Sequence, residues 1–297
     1  MELRRFLVII TTAIVMVITI IVWLLPSSED FQSNNPTWNG ISDITSNYAA
    51  SPLISLSDLP PLSQGVTLIL IPYLNITPTE LAELQSFITQ GGTLILADDY
   101  GLGNQILEHL RLEVRFSGKP LLDPLFNHKN QRFPQISHIT ASRITSNTES
   151  LTLNHATSLV NVKDSDALAL SSSSSFLDLN SNGSFDLDEE PNGPLPVISQ
   201  HNLGRGKIIL ISDPSIFINS MANLASNRIF IQNIAAITTS ALLIDQSHLP
   251  ALTNLSEAKN LLSSIRNSVT TPIGATSLVI LALTVTLMPI WHKRRRY

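Results

Sequence analysis

The chain predicts an α/β domain built on a mostly parallel sheet with helices on both faces, flanked by two transmembrane helices. Three observations carry this. Strand-length runs that are apolar on both faces recur along the middle of the chain, helical patterns alternate with them, and a long uncharged run lies near each end. A strand that is apolar on both sides suits a sheet covered by helices on both faces.

Residues 6–25 (FLVIITTAIVMVITIIVWLL) carry no charge, follow Arg4 and Arg5, and stop at Pro26. Twenty apolar residues are long enough to cross a bilayer as a helix. The rival reading is a cleaved signal peptide. That reading wants a shorter apolar core and a small-x-small cleavage site, which the residues Leu24 to Ser28 lack. Residues 273–291 form the second uncharged run, followed by His292, Lys293, Arg294, Arg295 and Arg296. Positive flanks mark cytoplasmic ends. The expected topology is therefore a two-pass cell-membrane protein with cytoplasmic tails at 1–5 and 292–297. The segment between the anchors is extracytoplasmic.

Between the anchors, 26–40 is polar, with Pro and Asn, and reads as a linker ahead of a domain at 41–250; 251–272 reads as a connecting helix. Residues 41–50 suit a short helix, and 52–60 an edge strand because of its prolines. Residues 65–72 (GVTLILIP) are the first buried strand. Thr77, Pro78 and Glu80 then form a capping box with proline in the first turn, opening a helix whose Leu81, Leu84, Phe87 and Ile88 share one face. Gly91 and Gly92 close it, and Thr93 to Ala97 is the second buried strand. A helix is expected over 102–110. This strand–helix–strand spacing implies a parallel pair.

Short strands are expected at 114–116 and 150–153, with a long surface loop at 117–133. Residues 195–200 and 207–213, joined through Asn202 to Gly206, predict a hairpin into a third buried strand. A helix over 227–240 and a short strand over 241–245 complete the pattern.

With 14% charged residues, 43% hydrophobic ones and a formal charge of −5, the composition excludes a basic nucleic-acid-binding surface. Seven of the 18 Lys and Arg (Arg4, Arg5, Arg266, Lys293, Arg294, Arg295 and Arg296) sit at or near the ends. There is no cysteine, which removes disulfides, thiolate metal sites and a cysteine nucleophile.

Residues 178–189 (DLNSNGSFDLDE) follow the pattern of a calcium loop. Asp178, Asn180, Asn182, Asp186 and Glu189 would ligate by side chain and Ser184 by its carbonyl, because alternate residues turn oxygens to one point and Gly183 permits the bend. The residues on either side make poor helices, so calcium here would act as a structural staple and not as a sensor. The alternative is a polar surface turn with no metal.

Asp98, Asp99, Asp213 and Asp245 each follow an apolar strand, with Ser215 and His248 just beyond. Open α/β sheets place ligand crevices at the carboxyl ends of their strands. Asp and Ser after a strand also commonly cap the next helix. Asp98, Asp99, Asp213, Ser215 and His248 are thus the candidate catalytic residues, while no Gly-x-Ser-x-Gly elbow exposes a serine. No paired histidine spacing suggests zinc, and Gly101 and Gly103 lack the rest of a nucleotide fingerprint. Asn75 and Asn254 stand in glycosylation triplets.

Gly91–Leu94, Ala97–Asn104, Arg115–Gly118, Leu122–Phe126, Gly193–Val197 and Ile211–Asn219 together resemble the domain of unknown function 4350 family over roughly residues 38 to 250. The resemblance implies a flavodoxin-like, class I glutamine-amidotransferase-like fold between membrane anchors. It also implies MoxR-type ATPases and transglutaminase-like membrane proteins as genomic neighbours. Amidotransferases use a cysteine, and this chain has none, so the resemblance carries a scaffold without that activity. The functional expectation is a non-catalytic binding or assembly component, stabilised by calcium and working with other membrane or extracytoplasmic proteins. The alternatives are an extracytoplasmic hydrolase using the acidic strand ends, and an accessory subunit of a membrane transport complex.

Overall fold

The computed structural model describes residues 29–250, together with the isolated positions Phe6, Ile10, Thr11, Ile14 and Thr276. Among the described residues no helix is long and apolar enough to cross a membrane. The expected anchors at 6–25 and 273–291, the connecting helix at 251–272 and both tails lie outside the described residues, apart from those isolated positions. Ser28–Pro250 form one compact unit of the chain.

In chain order that unit contains α1 (Ser42–Tyr48), β1 (Ser51–Leu53), β2 (Thr67–Leu70), α2 (Pro78–Thr89), β3 (Thr93–Ala97) and α3 (Asn104–His109). A run of short strands follows: β4 (Arg115–Phe116), β5 (Leu121–Leu122), β6 (Gln135–Ile136), β7 (His138–Ile139), β8 (Leu151–Thr152), β9 (Leu159–Val160), β10 (Ala167–Leu170) and β11 (Phe176–Leu177). The hairpin β12 (Pro196–Leu203) and β13 (Gly206–Ile211), the helix α4 (Asn227–Ile237) and β14 (Leu242–Asp245) complete it.

The main sheet has eight strands in the order β1-β14-β2-β3-β13-β12-β10-β7. From β1 to β13 every neighbour is parallel, and from β13 outward the pairs are antiparallel. The α/β class is as the sequence predicts, with an antiparallel extension on one side. The register aligns Ile69, Ile95 and Ile209 across three neighbouring strands.

Alternation within these strands divides the core between the two faces of the sheet. Leu68, Leu70, Leu94, Leu96, Ile208 and Leu210 meet Leu84, Phe87 and Ile88 of α2 and Ile106 and Leu107 of α3. Ile69, Ile95, Ala97, Ile209 and Ile211 meet Phe230, Ile231 and Ile234 of α4 and Ile44 of α1. Each buried Leu or Ile contributes roughly 1.5–3 kcal/mol of apolar transfer free energy. The capping box on α2 is formed as expected, with Thr77 Oγ1 accepting from Glu80 N and Thr77 N donating to Glu80 Oε2.

Two stretches differ from the sequence reading. Residues 29–40, expected to be a linker, pack into the domain. Phe31 is buried, Ser33 N donates to Gln246 Oε1 at 2.9 Å, and Asn219 Nδ2 donates to the carbonyls of Asn35 and Thr37. Polar residues here serve as internal partners for backbone groups, which composition cannot distinguish from solvation. The expected surface loop 117–133 holds β5, whose Leu121, Leu122 and the following Asp123 are buried. Their partner strand β11 is remote in sequence, so local pattern gives no sign of the pairing.

Candidate functional site

The chain leaves β3 and β13 toward opposite faces of the sheet. After β3 it enters α3, which packs on the α2 face; after β13 it passes through Ile216 and Phe217 to α4 on the other face. Neighbouring parallel strands whose exits diverge leave a crevice between their carboxyl ends, where open α/β sheets bind ligands. Asp98 and Asp99 stand at the end of β3, and Asp213 at the end of β13.

Two of these three carboxylates hold the loops in shape. Asp98 is 2% exposed, and its Oδ1 accepts from Tyr100 N (2.9 Å) and Gly101 N (3.1 Å) while Oδ2 accepts from Gly103 N (2.6 Å). It fixes the turn that starts α3. Asp213 is fully buried; Oδ1 accepts from Ser215 N at 2.7 Å and Oδ2 from Asn154 N at 2.6 Å. It ties the end of β13 to the segment that leads into β9. Asp99 is half-buried, and among the described residues no other side chain hydrogen-bonds its carboxylate.

The electrostatics follow from this crowding. Burial pushes Asp99 up to about 7, with the Asp98 charge adding to it. Burial also pushes Asp213 up to about 8, where its N–H donors oppose the shift and Asp99 adds to it. Tyr73, in the loop after β2, is raised by burial and by Asp99, Tyr100, Asp30 and Asp213, so its phenol faces the same negative region. Its ring packs against Tyr100 (6.1 Å between centroids) and Phe31 (5.6 Å). Carboxyls shifted by burial and by each other in a cleft mark a candidate functional site.

A cavity of about 210 Å³ opens here, lined by Asp99, Tyr100, Leu121, Leu122, Arg132 and His155 among others. His155 shares a hydrogen bond with Asn154 Oδ1 through Nδ1 at 2.6 Å and packs edge-on to Phe133. Burial and then the Arg132 charge lower its pKa. Arg132, His155, Asn154 and Tyr73 escape sequence reasoning. They lie in loops without periodicity, and only the fold brings them to the rim.

Asp245 and His248 form a separate group at the end of β14. His248 is 3% exposed, its Nδ1 lies 2.9 Å from Asp245 Oδ2, and its Nε2 lies 3.5 Å from Glu80 Oε1. The side-chain hydrogen bond and charge of Asp245, with the charge of Glu80, outweigh burial and raise its pKa. The structure therefore pairs His248 with Asp245 and Glu80. Ser215 belongs with Asp213, to which its backbone N–H donates. The two groups touch through the backbone, Tyr73 N and Leu74 N both donating to His248 O.

In the loop at 178–189, Asp178 is buried and accepts from Asn182 N and Gly183 N, both at 3.0 Å. Asn182 N also bonds Asn180 Oδ1, and Ser184 N bonds Asn182 Oδ1. The amides of Asn180 and Asn182 both donate to Asp186 Oδ2 at 2.7 Å, so these side chains converge on one point. Glu189 is exposed, whereas the next residue, Glu190, is buried and accepts from Leu179 N and Asp186 N. Among the described residues no group of three or more His, Asp or Glu side chains is arranged to hold a metal ion. The donor set fits calcium in part: the loop winds as the motif requires, and Glu190, which sequence reasoning passed over, closes it.

These features define an α/β domain with a mixed eight-stranded sheet and a crevice on its carboxyl edge. Residues 33–235 match the family described as Domain of unknown function (DUF4350), and the chain belongs to that family. A comparison with curated proteins finds no match. Among solved structures, the mmIFT52 N-terminal domain is similar in fold, with 14% identity and a TM-score of 0.52 over 72% of this chain and 95% of that one. A β-galactosidase from Bacillus circulans sp. alkalophilus shows 13% identity and a TM-score of 0.34 over 55% of this chain and 22% of its own. An exo-β-1,4-mannosidase from Opitutaceae bacterium strain TAV5 shows 11% identity and a TM-score of 0.27, covering 57% of this chain and 24% of its own.

Proposed function

We propose that this protein is a membrane-anchored, extracytoplasmic binding or assembly component whose working edge is the crevice between β3 and β13. One observation carries the reading: of the five candidate catalytic residues, all but Asp99 are occupied in building that edge. Asp98 and Asp213 accept backbone N–H groups, that of Ser215 among them, and His248 is held between Asp245 and Glu80. A nucleophile must lie within hydrogen-bond reach of a base. Ser215 pairs with Asp213, and the Ser–His contacts that do form, Ser247 Oγ with His248 Nδ1 at 3.1 Å and Ser199 Oγ with His201 Nε2 at 2.9 Å, belong to the end of β14 and to β12 and do not line the cavity at Asp99. What is left is a shaped cleft with Asp99 and the exposed Tyr100 at its mouth.

In this reading the amidotransferase-like scaffold implied by the resemblance is kept without its cysteine. Calcium is a structural staple, held by Asp178, Asn180, Asn182, Asp186, Glu189 and the Ser184 carbonyl, and it tightens a loop joined to the 123–133 segment by Gln131 Nε2 donating to Gly183 O. Partners are other membrane or extracytoplasmic proteins. The test is purification of the full chain from gently solubilised membranes, wild type beside Tyr100→Arg. A partner that accompanies the wild type and is lost from the variant supports the reading. The same companions with both, or none with either, overturns it.

A further inference from the structure

The crevice has an acidic wall and a basic wall that do not pair with each other. At one wall Asp99 lies in the field of Asp98 and itself acts on Asp213, and Tyr100 stands beside it. At the other, Arg132 acts on His155. Among the described residues Arg132 forms no ion pair, and it is not one of the charges that move Asp99. The two therefore line one cavity without closing a salt bridge across it. Its floor, from Leu121 and Leu122, is apolar and buried.

An unpaired guanidinium favours a carboxylate, which it can hold bidentately. A carboxylate crowded by other carboxylates gains from an ammonium, and the flanking tyrosine ring adds cation–π attraction. The volume of about 210 Å³ is below the roughly 300–1,000 Å³ of pockets that take drug-sized ligands, so the occupant is small.

We propose that the crevice binds a small zwitterion of amino-acid size, its ammonium at Asp99 and Tyr100 and its carboxylate at Arg132. This rests on the rim being a binding edge and adds what it binds. At neutral pH and below, an ammonium drives Asp99 to ionise, so binding releases a proton.

The test is titration calorimetry on the full chain in detergent micelles. Glycine and γ-aminobutyrate serve as short and long zwitterions, with methylamine and acetate as probes carrying one charge each. At least one zwitterion is expected to bind about ten-fold or more tighter than either single-charge probe, which corresponds to about 1.4 kcal/mol. Asp99→Asn and Arg132→Gln should each remove that preference. Titrating the wild type in two buffers of different ionisation enthalpy should show proton release near neutral pH, a readout that needs no variant to fold. Equal binding of zwitterions and single-charge probes, unchanged preference in both variants, or proton uptake would overturn the proposal. If the zwitterions fail while Tyr100→Arg still loses a partner, the ligand is wrong and the binding edge stands.

Discussion

Asp99 raises the pKa of Asp213 across the seam between two neighbouring parallel strands, although the residues belong to loops that leave the sheet on opposite faces. Both are protonated in the folded domain at a pH where an unfolded chain has released its protons. With folded values of about 7 and about 8 against an ordinary 3.8, the native state binds more protons than the unfolded one through that interval. Stability must then fall as pH rises. The melting temperature of the full chain is expected to decline from about pH 5 to about pH 9, and Asp99→Asn to flatten the decline. Asn at this position is chosen because the Asp99 carboxylate supports no backbone turn, unlike that of Asp213.

His248 adds a second pH-dependent contribution with its own signature. Its folded pKa lies above 6.5, so the stability from the Asp245 and Glu80 contacts is complete below that value. It is lost as pH rises through the raised one. His248→Gln should cost roughly 1–3 kcal/mol near pH 5.5 and progressively less in alkali, measured by denaturant unfolding at several pH values.

Asp98 and its neighbour Asp99 should respond differently to mutation. Asp98→Ala leaves three backbone N–H groups without their acceptor, and at about 1–3 kcal/mol for a buried unsatisfied group it should destabilise the domain severely. Asp99→Asn should leave the unfolding midpoint at neutral pH within a few degrees of wild type. Parallel thermal melts check this.

Gly118 sits on the cavity wall with φ +67°, and a Cβ there would stand 2.8 Å from Tyr100 O. Both the backbone conformation and the space exclude a side chain. Gly118→Ala is expected to cost about 1–3 kcal/mol and to displace the Tyr100 loop, seen as lost stability together with altered tyrosine fluorescence.

The calcium loop separates Glu189 from Glu190. Calcium should raise the melting temperature of the wild type and EDTA should remove the gain. Glu190→Ala should destabilise the domain even in EDTA, because Leu179 N and Asp186 N lose their acceptor. Glu189→Ala should change only the calcium response. A melting temperature indifferent to calcium in the wild type would leave the loop a polar turn.

Much of the scaffold was legible because its signals are local. The apolar runs at 68–70, 94–97 and 208–211 give buried parallel strands, and Thr77 with Glu80 gives the start of α2. Asp98, Asp99 and Asp213 could be placed on one rim because strands of one direction end on one edge. Arg132 and His155 could not. They reach the rim through two-residue strands such as β6 and β8, whose pairing is tertiary and leaves no periodicity. The linker reading of 29–40 failed for a related reason: Asn35 is polar because its buried side chain bonds Glu29 O, Asn39 Oδ1 and Thr37 N, not because it faces water.

The central claim is that the domain works through its carboxyl edge. The most direct test places a photocrosslinking residue at position 100 on that edge, and a control at position 205 in the β12–β13 turn on the opposite edge. Both native residues, Tyr100 and Arg205, are exposed. In intact membranes the account predicts a discrete adduct from position 100 and none from position 205. An adduct from 205 with none from 100 would contradict it.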